Sequence, residues 1–99
     1  MAGRVVTLDC SPEQAVQLAE ALRTYVEAAY PPGGSPCAQV ARETLLDTAR
    51  QLAADDGPAT IPRRQRHLVR AAIAWYYGPD GPASHHPEGR ILMELGGQL

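Results

Sequence analysis

The most concentrated set of side chains that could bind a partner lies in residues 62–81, which read PRRQRHLVRAAIAWYYGPDG. This stretch holds four of the nine basic residues and leads directly into three aromatic ones. Laid on a helix, Arg63, Arg66 and Arg70 share one face, and Tyr77 lies further along it. Guanidinium groups pair with phosphate or carboxylate oxygens, and a tyrosine ring can stack on a base. The spacing therefore predicts a binding surface, with nucleic acid as one candidate ligand.

An acidic stripe near the start of the chain offers these arginines a different partner. Glu13, Glu20 and Glu27 recur every seven residues and lie on the outer side of a predicted helix. Opposite charges on two outer faces predict contact between copies of the chain or with another protein. Exposed ion pairs contribute only about 0–1 kcal/mol each, so they would set the register while apolar surface provided the affinity. The remaining interpretation is that both stripes are solvated helix faces.

The overall charge weighs against a general nucleic-acid binder. The chain of 99 residues has 9 basic and 11 acidic side chains, which give a formal net charge of -2. All nine basic residues are arginine, as a GC-rich genome would also produce, so the choice of arginine over lysine carries little information. The connection over residues 55–60 is also longer than the turn of about 3–4 residues in a helix-turn-helix. We therefore expect a protein partner or self-association first, with nucleic acid as the alternative.

Enzymatic and metal chemistry find little support in the motifs. The sequence has no glycine-rich phosphate loop, no nucleophile elbow and no HExxH pair. His85 and His86 are adjacent in a predicted loop, while Cys10 and Cys37 lack the spacing of zinc ligands. Asp80 with either histidine is the only defensible acid–base combination. We expect no catalytic residue, no metal and no cofactor, and a small enzyme or metal binder that uses this loop is the third hypothesis.

Three segments carry apolar residues at helical spacing between start and stop signals, and they predict helices over 11–30, 36–54 and 61–77. Serine followed by proline, at Ser11 and again at Ser35, is a strong helix start because serine can cap and proline suits the first turn. Pairs of proline and glycine end each helix.

Short alternating segments at the two ends of the chain predict two strands, over 4–9 and 90–95. The second strand follows a loop over 78–89. We expect the two strands to pair as a ribbon that lies over the helices. A two-stranded ribbon is only marginally stable and has exposed edges. Val5 and Leu92 would lie on its outer face, where a second copy or another partner could complete the sheet.

Together these patterns predict one small α+β domain over residues 1–99, with three amphipathic helices and a short two-stranded ribbon formed by the terminal segments. No signal sequence and no apolar stretch of about 18 residues is visible, which predicts a cytoplasmic protein with no membrane contact. The predicted function is a non-enzymatic interaction or regulatory module that acts as a homodimer or docks to a protein partner.

Overall fold

The computed structural model describes residues 5–54 and 59–99. The elements follow one another in the order β1 (Val5–Leu8), α1 (Pro12–Ala29), α2 (Pro36–Ala53), β2 (Ala59–Pro62), α3 (Arg66–Tyr77) and α4 (Gly89–Gly97). A 3-10 turn over Arg63–Gln65 joins β2 to α3. The predicted combination of helices with a two-stranded ribbon is confirmed, and the ribbon is antiparallel, but the described part of the chain has four α-helices rather than three.

Helices α1 and α2 lie within a residue of their predicted bounds, because both are capped by local sequence. Ser11 Oγ accepts a hydrogen bond from the Gln14 N–H at 3.1 Å, and Gln14 Oε1 accepts one from the Ser11 N–H at 2.9 Å. Ser35 Oγ caps α2 by accepting from the Ala38 N–H at 3.2 Å. Between the helices Gly33 has a φ of +88°, which glycine adopts without strain. The two helices then pack against each other.

The strand that pairs with β1 comes from the middle of the chain, so the predicted pairing of the two terminal segments is wrong. Val6 lies opposite Ile61 in an antiparallel register. Proline disfavours the helical conformation of the residue before it, so Pro62 holds Ile61 extended. The third helix therefore begins at Arg66 rather than at residue 61.

The C-terminal segment 90–95, predicted as a strand, lies in α4 instead. This short apolar run is compatible with the two-residue period of a strand and with the 3.6-residue period of a helix. The burial of its side chains shows which of the two it adopts. Leu92 and Leu95 lie three residues apart and are 0% and 6% exposed, whereas Ile91 and Met93 are 49% and 38% exposed. A strand would turn Leu92 outward, and a helix buries it together with Leu95. The helix is favoured because it removes both leucines from water.

One hydrophobic cluster connects the helices and the ribbon. Its largest fully buried side chains are Leu18, Leu22, Val26, Leu45, Ile61, Val69, Ile73 and Leu92. A buried polar contact adds to it, because Thr48 Oγ1 donates to Gln65 Oε1 at 2.5 Å and ties α2 to the turn before α3. Helix α3 packs between α1 on one side and α4 on the other. This packing fixes which flank of α3 faces solvent.

Candidate interaction site

The three arginines of the predicted stripe lie along one flank of α3 and the turn before it. Arg63 belongs to the 3-10 turn, and Arg66 and Arg70 lie in the first two turns of α3. Arg63 and Arg70 are exposed, and Arg66 is half-buried. The buried Val69 and Ile73 set the rotation of the helix and hold this flank at the surface. Arg66 and Arg70 therefore lie in a helix as the spacing predicts, whereas Arg63 belongs to the turn before it.

A groove between α3 and α4 runs beside this flank, and we call it the α3–α4 groove. It has a volume of about 210 Å³, and its lining residues are Arg70, Ile73, Ala74, Met93, Gly96 and Gly97. Gly96 allows the two helices to approach, because a Cβ atom there would lie 3.1 Å from Ile73 Cγ2. A Cβ atom on Gly97 would meet nothing within 4 Å, so this glycine leaves the groove open. The floor is apolar, and Arg70 is the charged group among the lining residues.

Arg66 and Arg70 form no ion pair with any of the described residues. The ion pairs found there join Arg23 to Glu20 (2.7 Å), Arg42 to Glu27 (2.8 Å), Arg50 to Asp47 (2.6 Å) and Arg90 to Glu94 (3.8 Å). Arg70 lies beside Gly96 and Gly97 at the C-terminal end of α4, where the helix macrodipole favours a cation. A guanidinium group has five N–H donors. Arg70 thus retains donors for the carboxylate or phosphate of a partner.

Tyr77 does not belong to this surface, which corrects its predicted role in stacking on a base. Its side chain is 5% exposed, and its hydroxyl donates to the Gln17 carbonyl oxygen at 3.1 Å. Its ring lies edge-on to Tyr76 and to His86, with centroid distances of 4.9 and 5.5 Å. Burial, with a smaller contribution from nearby negative groups, raises the pKa of Tyr77 to about 12. Tyr77 is a core residue whose hydroxyl connects α3 to α1.

The acidic stripe is exposed on α1 as predicted, but two of its three members are already engaged within the molecule. Glu20 pairs with Arg23 on the same helix, as the spacing predicts. Glu27 pairs with Arg42 of α2, whose guanidinium also donates to the Tyr30 carbonyl oxygen at 3.1 Å. A partner's arginine would therefore have to compete with these internal contacts at both glutamates. Glu13 is the exposed member of the stripe for which no ion pair with a described residue occurs.

The two apolar residues expected on the outer face of the ribbon have different positions. Val5 is 51% exposed and lies on the face of β1 that is turned away from the core, as its alternation predicts. Leu92 is fully buried in α4, so its predicted place at an interface is wrong. The physical reason is the change from strand to helix, which turns Leu92 towards α3. Leu92 positions the groove without being part of its surface.

The histidine loop and the cysteines show structural contacts. Within the described residues there is no group of three or more His, Cys, Asp or Glu side chains arranged to hold a metal ion. His86 Nδ1 accepts a hydrogen bond from the Glu88 N–H at 3.0 Å, directly before α4.

Burial, and then the negative charge of Asp9, raises the pKa of the Cys10 thiol. Both effects favour the protonated thiol, which is a poor nucleophile.

A cavity of about 380 Å³ lies at the end of the ribbon, between the Leu8 end of β1, the start of α1 and the end of α2. Its lining includes Cys10, whose thiol is held protonated, and Ser11, whose hydroxyl caps α1. Thr7, Asp9 and Gln51 are further polar residues of its lining, and its volume exceeds that of the α3–α4 groove.

Sequence reasoning missed the part of the groove that α4 contributes, namely Met93, Gly96 and Gly97. The signal that could have found them is the four-residue spacing of Arg90 and Glu94, whose side chains approach within 3.8 Å in the helix. Such a pair is typical of an exposed helix face. In a strand two residues four apart also share a face, but they lie about 13 Å from each other.

No protein-family model matches this chain, and neither a curated protein nor a solved structure matches it. Among the described residues, no helix is both long and apolar enough to cross a membrane. The function must therefore be inferred from the shape and the charge of the surfaces.

Proposed function

We propose that this chain is a small non-enzymatic interaction module that docks an acidic segment of a partner protein into the α3–α4 groove. The observation that carries this proposal is the position of Arg70, which forms no ion pair with a described residue, beside an apolar floor formed by Ile73, Ala74 and Met93. A partner would insert an apolar side chain into the groove and place a neighbouring carboxylate on Arg70.

The size of the groove supports a protein partner over a cofactor. Its volume of about 210 Å³ lies below the range of about 300–1,000 Å³ that is typical of small-molecule sites. It suits one aliphatic side chain, which is how a partner's anchor residue is usually received. Arg70 is the only ionisable side chain in its lining, so the groove offers no acid–base pair for catalysis.

The charge of the rim supports an acidic partner. Arg70 lines the groove, and Arg66 lies one turn before it on α3, outside the lining residues. The planar fork of a guanidinium group matches the two oxygens of a carboxylate. Charges at the rim of an interface chiefly accelerate association and select the sign of the partner, while the buried anchor provides affinity. The anchor and the arginines would therefore have separate and measurable roles.

The surface around the arginines supports the protein partner over nucleic acid. Nucleic-acid interfaces are strongly basic and use exposed aromatic rings for stacking. Here the chain has a net charge of -2, and Tyr77 is in the core. The apolar floor of the groove also offers nothing to a phosphate group. Nucleic acid remains the alternative hypothesis, and the experiment below includes it.

The free thiol state of the two cysteines supports an intracellular location for this module. Cys10 and Cys37 are both free thiols. Free thiols are the usual state in a reducing compartment, whereas oxidising compartments favour disulfides. We accordingly assign the module to the cytoplasm, where an acidic segment of another protein would be its ligand.

The test uses hexanoate as a probe, because its aliphatic tail and carboxylate reproduce the two features of the proposed ligand. Backbone amide signals of the isotope-labelled protein are followed by NMR during the titration. We expect the Gly96 and Gly97 signals to shift at millimolar hexanoate. Hexanol, which has the same tail without the charge, should bind about threefold to fivefold more weakly, as expected for an exposed ion pair. Hexylammonium should not bind.

Matched variants separate the two contributions. Gly97→Leu should fill the open side of the groove and abolish the shifts, while Arg70→Gln should reduce hexanoate binding to the level of hexanol. Arg23→Gln, which removes an exposed arginine of α1, should leave binding unchanged. The proposal is wrong if hexanoate leaves both glycine signals unmoved. It is also wrong if a short DNA duplex binds at low salt and this binding disappears in an Arg66→Gln/Arg70→Gln double variant.

A further inference from the structure

The outer edge of β1 carries backbone groups that have no partner among the described residues. In an antiparallel ladder, alternate residues turn their N–H and C=O groups towards the neighbouring strand and away from it. Pro62 lies opposite Val5 and has no N–H, so the residues of β1 that bond to β2 are Val6 and Leu8. The N–H and C=O groups of Val5 and Thr7 therefore point outward. No described residue forms a hydrogen bond with them outside the ladder.

We propose that a second copy of this chain pairs its own β1 with this edge in the antiparallel direction. The product is a four-stranded sheet in the order β2-β1-β1-β2. Val5 of each copy then faces Thr7 of the other, and the two pairs exchange four N–H···O=C hydrogen bonds. Val6 lies opposite Val6 of the second copy, at the two-fold axis. This interface uses neither the α3–α4 groove nor its arginines, so it is independent of the function proposed above.

The side chains at this edge suit such a pairing. The strand reads Val-Val-Thr-Leu. A charge, a proline or a bulge usually protects an exposed edge from pairing with another strand, and β1 has none of these. Val6 lies on the inner face but is only half-buried, although its cross-strand partner Ile61 is completely buried. A second Val6 at the axis would cover the exposed part of the first. Four strands with one apolar face are also more stable than two.

The charges at the two ends of the ribbon favour a second copy in the antiparallel direction. The exposed Asp9 follows β1 at one end, and the exposed Arg63 and Arg64 follow Pro62 at the other. Antiparallel pairing brings the acidic end of one ribbon next to the basic end of the other, and it does so twice in the dimer. Parallel pairing would place ends of like charge side by side. The ribbon is thus complementary to itself.

Disulfide cross-linking tests the register directly. In a Cys10→Ser/Cys37→Ser background, Val6→Cys should form a disulfide-linked dimer, because the Cα atoms of such a pair lie about 4.5 Å apart, within the range of disulfides. Val5→Cys alone and Thr7→Cys alone should not cross-link, since each residue would lie more than about 7 Å from its own copy. An equal mixture of the two variants should cross-link, because Val5 faces Thr7.

The cross-linking is paired with sedimentation of the unmodified chain over a range of concentrations. We expect a concentration-dependent dimer, and we expect Val6→Cys to cross-link at least tenfold faster than Val40→Cys, an exposed position on α2. A chain that stays monomeric at the highest concentration overturns the proposal. Equal rates for Val6→Cys and Val40→Cys, or self-linking of Val5→Cys, overturn it as well. Because the hexanoate response depends on other residues, it is unaffected by either result.

Discussion

The two halves of the molecule use their charged side chains in different ways. In the half formed by α1 and α2, Arg23, Arg42 and Arg50 each hold an ion pair at 2.6–2.8 Å. In the half formed by α3 and α4, Arg66 and Arg70 hold none with any described residue. The first half pairs its arginines internally, whereas in the second half Arg90 pairs with Glu94 at 3.8 Å and Arg70 lines a groove without an ion pair to a described residue.

The same halves differ in how their helices are specified. Serine side chains cap α1 and α2, whereas α3 and α4 have no side-chain cap. The first two helices are defined by local chemistry, and the last two depend on packing against the rest of the chain. The half with the weaker local signals is also the half in which Arg66 and Arg70 form no ion pair with a described residue. Four experiments test this contrast.

The largest expected effect concerns the dependence of α4 on tertiary packing. Leu92→Ala should lower the free energy of unfolding by about 2–5 kcal/mol, because it opens a cavity at a fully buried position. Ile91→Ala, at the exposed neighbour, should change it by less than about 0.5 kcal/mol. Urea denaturation measures both. The reverse order of the two effects would mean that this segment is a strand, as its alternation suggests.

The next effect concerns the buried polar contact between the halves. Thr48→Val removes the donor to Gln65 Oε1 and leaves that oxygen buried without a partner. We expect a loss of about 1–3 kcal/mol by urea denaturation. In the double variant Thr48→Val/Gln65→Leu both polar groups are gone, so the loss should be smaller. A double variant that is as unstable as the sum of its single variants would show that the contact is not what joins the halves.

A smaller effect concerns Tyr77, which connects α3 to α1. Tyr77→Phe removes one hydrogen bond to a carbonyl oxygen and should cost about 1 kcal/mol at neutral pH. Burial raises the pKa of Tyr77 to about 12, above the value of about 10 expected in the unfolded chain. The folded state therefore favours the neutral phenol. Its contribution to stability is complete below pH 10 and is lost as the pH rises towards 12.

Unfolding measured across this pH range checks the direction of the effect. The stability of the wild type should fall between pH 10 and 12 more steeply than that of Tyr77→Phe, so the difference between them should shrink. A difference that stays constant or grows with pH would show that the phenol is not kept neutral by the core. Other tyrosines titrate in both proteins and cancel in the comparison.

The smallest effect compares the arginines of the two halves directly. Arg42 is paired with Glu27 and bonded to the Tyr30 carbonyl oxygen, so Arg42→Gln should cost up to about 1 kcal/mol. Arg70→Gln should leave the free energy of unfolding nearly unchanged and should weaken hexanoate binding. If Arg70→Gln destabilises the fold as much as Arg42→Gln, then Arg70 serves the C-terminal end of α4. The contrast between the two halves would then fail.

The candidate site was predictable in part. Arg66 and Arg70 could be placed on a surface from their spacing alone, because Val69 and Ala72 mark the buried face of the same helix. The apolar floor of the groove could not be predicted, because it forms only when α4 packs against α3. Tyr77 shares the arginine side of the helix in projection, but packing against α1 and the following loop takes it out of solvent.

The elements whose limits are set by neighbouring residues could be predicted from the amino-acid sequence. The capping box at Ser11, the cap at Ser35 and the proline-glycine turn between the helices all act within a few residues, so α1 and α2 follow from them. The alternation of β1 also predicted correctly that Val5 faces solvent and Leu8 the core.

For the shorter segments, the choice between strand and helix depends on tertiary packing. Ala59–Pro62 became a strand because Pro62 prevents an earlier helix and β1 supplies a ladder. Gly89–Gly97 became a helix because Leu92 and Leu95 gain burial against α3 only at helical spacing. A run of a few apolar residues satisfies both periods, so its conformation depends on which neighbouring surface can bury it.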